Sequence, residues 1–294
     1  MYDLSKSCII LDKPEGISSN NSLKIVKKKL NQKKAGFSGI LDPMASGVLI
    51  IFFNKATKAC SYFTDAYKTY KGIIQLGVST DSGDSYGKVI SKDKKLLINI
   101  NKVKEIENHF HGEIEQTPPM YSALKYKGKR LYKYAREGTE VIRNSRKIII
   151  KSLNAKLIKE DQIEISVECS KGTYIRTLAE SIGRFIGCES HLSFLRRTKV
   201  GNVDLSHSIS LNKIDDLSKQ DIIKNYCFSV DNILDQIESC YLSEDNAKKL
   251  VCGRKIKIEN DASKLVKIYD NEEEFLGIAK INEENELIPI KIFV

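Results

Sequence analysis

The sequence predicts an α+β protein with a larger mixed domain over residues 1–236 and a small β-rich domain over residues 237–294. The alternating apolar positions of Tyr70–Val78 predict a half-buried strand. Apolar residues at helical spacing in Tyr174–Ile186 predict an amphipathic helix. After Tyr241 the chain changes to short β-like runs separated by acidic turns, which predicts a separate β-rich domain.

The first half of the larger domain carries clear local signals. Gly16–Leu30 predicts a loop followed by a helix, because serine and asparagine oxygens near its start can accept N-cap hydrogen bonds. The continuous apolar run Val48–Phe53 predicts a buried strand. The turn-rich segment Asp81–Lys88 predicts a hairpin connection.

The second half alternates between strand and helix patterns. Lys147–Ser170 predicts two strands separated by the charged turn Lys159–Gln162. Gly187 follows the amphipathic helix and suits a C-terminal stop. Asn212–Gln236 is polar with a helical pattern, so we expect helix up to the domain boundary.

Composition favours a soluble cytoplasmic protein. Hydrophobic residues make up 41% and charged residues 29% of the 294, which argues against wholesale disorder. No apolar run approaches the ~20 residues of a membrane span, and the N-terminus does not resemble a signal peptide. Seven scattered cysteines without a CxxC pair fit a reducing compartment better than a disulfide framework. His109–Phe110–His111 has no third ligand at metal-binding spacing, so an ordinary polar surface is the favoured interpretation.

The net charge of +10 suggests a polyanionic partner. Lysine richness alone could reflect a compositional bias, so arginine is the better discriminator. Eight of the nine arginines lie between Arg130 and Arg197. Because the arginine fork matches phosphate geometry, this clustering predicts a localised phosphate-facing region.

Three segments carry residues suited to chemistry or RNA binding. In Gly39–Gly47 (GILDPMASG), the proline should hold Asp42 on an extended or turning backbone at the edge of the core, although Asp-Pro is also a common turn dipeptide. In Lys171–Thr177 (KGTYIRT), Arg176 falls in the first turn of a predicted helix, where the helix dipole disfavours a cation. An anionic partner would explain a cation at this position, but the side chain could also simply point into solvent.

The third segment is Tyr121–Arg136, in which basic residues and tyrosines interleave. This pattern is typical of RNA binding, but it also suits an amphipathic helix with its tyrosines on the core. Phosphate-loop, dinucleotide and serine-hydrolase motifs do not occur in the chain, so those activities lose their usual signatures.

Taken in order, these segments resemble the TruB family, the bacterial tRNA pseudouridine-55 synthases. The resemblance runs over nearly the whole chain. It rests on LDKPEGISS, GILDPMASG, the surroundings of Tyr70, the segment Pro119–Arg136, SKGTYIRT and the LRR of Leu195–Arg197. Their common order and spacing make the match specific.

The resemblance implies a mixed, largely antiparallel sheet in the catalytic domain and a C-terminal PUA-like RNA-binding domain. It implies that a uridine in the TΨC loop of tRNA is flipped out before it reacts. Asp42 would be the nucleophile, Tyr70 would pack on the base and is proposed to remove the C5 proton, and Arg176 would pair with Asp42 and keep it ionised. Tyr174 and Leu195 match substrate-pocket positions.

One departure from the family pattern HxGxLDP is Phe37, which stands where the family usually has histidine. The histidine is associated with holding the flipped-out conformation, and Phe37 can stack but cannot donate a hydrogen bond.

From the composition and the family resemblance together, we predict a cofactor-free, metal-free and monomeric tRNA-modifying enzyme without an obligate protein partner or membrane association. The alternative is a catalytically impaired paralogue that binds tRNA and assists its folding.

Overall fold

The computed structural model describes residues 4–95, 98–258 and 264–294. Outside the described residues lie residues 1–3 and 96–97 of the predicted larger domain and residues 259–263 of the predicted C-terminal domain.

The described strands are, in chain order, β1 (Ser7–Lys13), β2 (Ala35–Phe37), β3 (Ala45–Phe53), β4 (Lys68–Leu76), β5 (Val78–Thr80), β6 (Val89–Lys92), β7 (Gly112–Gln116), β8 (Lys125–Tyr126), β9 (Lys129–Arg130), β10 (Arg146–Lys159), β11 (Gln162–Cys169), β12 (Ser190–Val200), β13 (Val203–Asp204), β14 (Ile209–Ser210), β15 (Cys227–Ser229), β16 (Glu238–Tyr241), β17 (Ile256–Lys257), β18 (Leu265–Tyr269), β19 (Phe275–Ile281) and β20 (Glu286–Ile292). The described α-helices are α1 (Ser19–Lys29), α2 (Cys60–Asp65), α3 (Ile100–Phe110), α4 (Leu131–Arg136), α5 (Ile175–Ile186), α6 (Leu211–Asp216), α7 (Lys219–Tyr226) and α8 (Glu244–Val251).

Eleven of these strands form one large mixed sheet. Its main path runs β14-β1-β3-β12-β4-β11-β10-β7, with β2, β13 and β15 paired beside it. Every residue of β3 is buried, as the run Val48–Phe53 predicts. The pairs β1 with β14 and β3 with β12 are parallel, and the other neighbours in the path are antiparallel. The expectation of a mixed, largely antiparallel sheet is confirmed.

Two helices begin and end where capping residues predict. Ser18 caps α1, because its hydroxyl accepts a hydrogen bond from the Asn21 N–H at 3.2 Å. Tyr174 precedes α5 and Gly187 ends it with a φ of +99°, a left-handed conformation that suits glycine. The buried face of α5 packs against the sheet, and Arg176 in the first turn of α5 is also buried.

The helical prediction for Asn212–Gln236 is wrong in its second half. Helices α6 and α7 account for the first part, but Cys227–Ser229 is a strand. This strand pairs antiparallel with β1, where Ser229 lies opposite Ser7. Hydrogen bonding to a sheet edge distant in sequence outweighs the local helical pattern.

The C-terminal strands form a second sheet in the order β16-β18-β19-β20-β17. One hydrophobic cluster joins the two sheets, since Phe52 of β3 belongs to the same buried set as Phe275 and Phe293. The second sheet is therefore packed on the first and is not a detached module.

Two further segments differ from simple expectations. Tyr121–Arg136 is not one amphipathic helix, because it contains the hairpin β8–β9 followed by α4. His109 lies at the end of α3, where its ring stacks on Phe185 with centroids 4.1 Å apart. Within the described residues no group of ligating side chains could hold a metal ion. None of the described helices is long and apolar enough to cross a membrane.

Candidate functional site

A cavity of about 660 Å³ opens beside the central strands of the large sheet. It is lined from the loop before β3, from β4 and β12, from the start of α5 and from residues 122–124. The six predicted site residues all line this cavity, namely Phe37, Asp42, Tyr70, Tyr174, Arg176 and Leu195. The fold thus brings together segments that are far apart in sequence.

Asp42 lies on a loop that the segment before α1 holds in place. The Ser19 hydroxyl accepts a hydrogen bond from the Leu41 N–H and donates one to the Leu41 carbonyl, both at 2.9 Å. The Gly16 N–H donates to the Pro43 carbonyl at 2.8 Å. The residues on both sides of Asp42 are therefore fixed, while its side chain stays 34% exposed toward the cavity. This arrangement leaves a carboxylate positioned and accessible.

Arg176 is buried and makes hydrogen bonds from all three guanidinium nitrogens. Its Nε donates to Asp42 Oδ2 at 2.9 Å. Its Nη1 and Nη2 donate to the carbonyls of Ser82 and Tyr121, each at 2.7 Å. The anionic partner that its place in the first helical turn indicates is therefore a carboxylate within the protein.

Asp84 is a second carboxylate near Arg176 that sequence reasoning missed. Its Oδ2 lies 3.6 Å from Arg176 Nε, and its side chain is only 8% exposed. Its Oδ1 accepts hydrogen bonds from the Ser82 hydroxyl at 2.6 Å and the Tyr86 N–H at 3.0 Å. The segment DSGDSYGK was interpreted only as a hairpin connection, and nothing local in it indicates that one aspartate turns inward.

Tyr70 lies on β4 and is buried with its phenol at the cavity. Burial raises the pKa of this phenol, the positive charge of Arg197 lowers it, and Cys169 and Asp42 raise it to a smaller extent. The Arg197 charge therefore partly offsets the effect of burial on the phenol.

The remaining predicted residues form the walls. Gln116 fixes the backbone of Tyr174, because its amide accepts from the Tyr174 N–H at 2.7 Å and donates to the Tyr174 carbonyl at 3.0 Å. The guanidinium of Arg146 lies 5.0 Å from the centre of the Tyr174 ring. Leu195 is buried on β12, and Phe37 at the end of β2 is half-buried. Their apolar surfaces suit a planar ring between them.

Two buried lysines give the site a positive surrounding. Lys13 is fully buried and Lys68 nearly so. Burial lowers the pKa of each to about 8, with Arg197 lowering both further, while Asp42 acts in the opposite direction on Lys13. Lys13 donates to the carbonyls of Pro14 and Ile17, and Lys68 to those of Thr64 and Ala66. Both amines therefore donate hydrogen bonds to backbone carbonyls and not to carboxylates.

The hairpin β8–β9 follows the cavity-lining residues 122–124 and carries lysines over aromatic rings. Lys127 is exposed, whereas Lys129 is partly buried and forms an ion pair with Glu137. Lys129 Nζ lies 4.6 Å from the centre of the Tyr134 ring, and Lys127 Nζ lies 5.5 Å from that of Tyr126. Such a surface can contact phosphates and stack on bases. Together with the cavity, it suits a flipped nucleotide whose flanking strand lies on the hairpin.

The comparisons with known proteins cover most of the chain. Residues 27–175 match the model of the TruB family pseudouridylate synthase N-terminal domain. Residues 176–240 match the tRNA pseudouridylate synthase B C-terminal domain, and residues 239–293 match the C-terminal model of pseudouridine synthase II TruB.

Relatives share sequence over nearly their full lengths. The tRNA pseudouridine synthase B of Ectopseudomonas mendocina is 37% identical over 97% of this chain and 94% of its own. The enzyme of the same name from Stutzerimonas stutzeri is 38% identical over the same shares. Among solved structures, the Cbf5–Nop10–Gar1 complex contains a chain with a TM-score of 0.73 and 22% identity, covering 99% of this chain and 86% of that one, which is a likeness of fold.

These matches define the class of protein as an isomerase of the pseudouridylate synthase type. More particularly, the chain belongs to the TruB family.

Proposed function

We propose that this protein isomerises uridine to pseudouridine in tRNA, at position 55 of the TΨC loop, with Asp42 as the nucleophile. The observation that carries the proposal is the Asp42 carboxylate, exposed to the cavity and hydrogen-bonded at 2.9 Å to the buried Arg176. Relatives at 37–38% identity are tRNA pseudouridine synthases B, which supports tRNA as the substrate.

The chemistry balances without an added reagent. The bond between uracil N1 and the ribose C1′ breaks, a bond between C5 and C1′ forms, the C5 proton leaves and N1 gains a proton. Asp42 forms the transient covalent bond, to the ribose or to the base ring, and is regenerated. Tyr70, buried against the cavity, is the group we assign to the C5 proton.

In this proposal, RNA binds to the basic surface of the larger domain and to the C-terminal domain. If several cations neutralise phosphates, log K should fall linearly with log salt by ~0.7–0.9 per phosphate contact. We assign the chain after residue 236 to an RNA-binding PUA-like domain. Because Phe52, Phe275 and Phe293 share one cluster, truncation there would strip the core, so charge substitutions test this domain better.

We also propose that the enzyme works in the cytoplasm as a monomer without an obligate protein partner. All the groups assigned to the reaction come from one chain. Sedimentation of the purified protein at working concentrations tests the monomer, and activity of that same sample tests the need for a partner.

The direct test is release of tritium from a TΨC stem-loop carrying C5-tritiated uridine, in a single turnover by the purified protein. Release together with pseudouridine at the target position is the expected result. Tight binding without release, from a protein with intact Asp42 and Arg176, would overturn the enzymatic assignment in favour of a tRNA-folding role.

A further inference from the structure

Arg197 occupies a central place between the two strands that flank the site. It lies on β12, which runs between β3 and β4. In the backbone register Arg197 stands opposite Gly47 of β3 and opposite Tyr70 of β4. Its side chain is 1% exposed, which makes it one of the largest fully buried side chains.

The guanidinium of Arg197 binds both ends of the segment that carries Asp42. Its Nε donates to the Val48 carbonyl at 2.8 Å, and its Nη2 donates to the Gly39 carbonyl at 3.1 Å. Eight residues lie between Gly39 and Val48 in sequence, and Asp42 is one of them. One side chain therefore closes the loop.

The two glycines that bracket the motif fit tightly against Arg197. A Cβ on Gly47 would lie 2.1 Å from the Arg197 carbonyl oxygen, and one on Gly39 would lie 3.3 Å from its Nη1. Gly39 also has a φ of +67°, a conformation that strains other residues. The Gly39 position is thus matched to the Arg197 guanidinium, and the Gly47 position to the backbone of residue 197.

Arg197 also faces Tyr70. It stands opposite Tyr70 in the register of β12 and β4, and its positive charge lowers the pKa of the Tyr70 phenol, which burial raises. In the described part of the chain no carboxylate oxygen lies within 4.0 Å of the guanidinium, so no ion pair neutralises this charge. The positive charge is left to act on the site.

We propose that Arg197 is a positioning residue that holds the Asp42 loop in a fixed relation to Tyr70, through hydrogen bonds to both loop ends from a strand position opposite Tyr70. This inference rests on the proposed function, since it matters for activity only if Asp42 and Tyr70 carry the reaction. We expect its effect to be on the geometry of the reacting groups and not on overall binding, because Arg197 lines the cavity but is only 1% exposed.

The experiment compares Arg197→Lys and Arg197→Met with the neighbouring Arg196→Lys and Arg196→Met in the full chain. Arg196 is a matched control, since it lies on the same strand but is 33% exposed and pairs with Asp12 at 2.7 Å. Single-turnover tritium release, stem-loop Kd and thermal unfolding are measured for each variant. Arg197→Lys should stay folded and keep Kd within about threefold, but release should slow about a hundredfold, as expected for a misplaced reacting group. Arg196→Lys should keep both values close to wild type.

A spectroscopic readout separates positioning from simple support of the fold. The chain has 13 tyrosines and no tryptophan, so tyrosine ionisation is visible in its ultraviolet absorbance. Subtracting the titration of Tyr70→Phe isolates the Tyr70 phenol. In Arg197→Met this ionisation should move to higher pH than in wild type, because the buried positive charge opposite Tyr70 is lost.

Two results would overturn the inference: release by Arg197→Lys at the wild-type rate, or an unchanged Tyr70 ionisation in a folded Arg197→Met. Failure of the proposed function is distinguishable, because wild type itself would then bind the stem-loop without releasing tritium.

Discussion

Arg176 Nε donates a hydrogen bond to Asp42 Oδ2 at 2.9 Å across 134 positions of sequence. The contact joins the first turn of α5 to the loop before β3. Because the other two guanidinium nitrogens bind the backbone carbonyls of Ser82 and Tyr121, Arg176 cannot turn away from the carboxylate without breaking several hydrogen bonds. The direction of the Asp42 side chain is thereby set before RNA binds.

Asp42→Asn should abolish turnover while the stem-loop Kd stays within roughly tenfold, about 1.4 kcal/mol. The amide is nearly isosteric and its oxygen can still accept from Arg176, but it cannot supply a nucleophilic carboxylate. Single-turnover tritium release and a binding titration measure the two effects. Asp12→Asn is the control, since Asp12 also pairs with an arginine, at 2.7 Å, but does not line the cavity. Residual release above about a thousandth of wild type, a loss of about 4 kcal/mol, would remove Asp42 from the nucleophile role.

Asp84→Asn should slow release about tenfold with little change in Kd. Asp84 is the second carboxylate beside Arg176, and removing its charge frees the arginine to attract Asp42 more strongly and reduce its nucleophilicity. One tenfold step corresponds to about 1.4 kcal/mol in the barrier. Asp81→Asn in the same loop is the control, since Asp81 accepts from the Lys88 N–H and does not contact Arg176. An Asp84→Asn enzyme as fast as wild type would show that Asp42 alone balances Arg176.

The elements that sequence predicted well are those with strong local signals. α1 and α5 have capping residues and apolar stripes, and β3 is a continuous apolar run. The second half of Asn212–Gln236 failed because β15 depends on the distant edge of β1. A local sequence pattern does not indicate whether a segment will pair with the edge of a sheet formed by distant residues.

The site shows the same division. The resemblance to the family supplied Asp42, Tyr70 and Arg176, and the structure places all three at one cavity. Asp84 and the inward direction of Arg197 could not be read from sequence, because an aspartate in a turn and an arginine in a strand are usually exposed. Only the three-dimensional arrangement shows that both are buried around the reacting groups.

Lys13 should make stability depend on pH. Burial lowers its pKa from 10.5 to about 8, so the unfolded chain binds more protons than the native one between these values. The free energy of unfolding must then rise with pH across this window. The stability that Lys13 contributes at high pH is lost as pH falls through about 8. The free energy of unfolding of wild type minus that of Lys13→Met should increase by up to about 1.4 kcal/mol per pH unit.

Urea unfolding of both proteins across the window measures this difference, and subtraction removes the titration of the buried cysteines. Lys24→Met on the exposed side of α1 serves as the control for deleting a lysine. A difference between wild type and Lys13→Met that is constant with pH would show that Lys13 keeps its proton in the folded protein as readily as in the unfolded chain.

Phe37 should support the flipped nucleotide by stacking. It lies at the end of β2, opposite Ile51 of β3, and its half-buried ring lines the cavity beside the Asp42 loop. Stacking of a base on an aromatic ring contributes ~1–3 kcal/mol. Phe37→Ala should therefore slow release by roughly ten- to a hundredfold at 1.36 kcal/mol per tenfold. Phe37→His should be tolerated or mildly beneficial, because it restores the usual residue of the family pattern.

Phe185→Ala is the matched control for losing a half-buried ring, since Phe185 stacks on His109 far from the cavity lining. Both alanine variants should lose some thermal stability, but only Phe37→Ala should lose rate in the single-turnover assay with the C5-tritiated stem-loop. If Phe37→Ala releases tritium as fast as wild type, the ring serves core packing alone and the stacking role is wrong. If wild type shows no release and Phe37→His gains it, then the native residue at 37 has suppressed turnover, and the protein acts on tRNA by binding and not by catalysis.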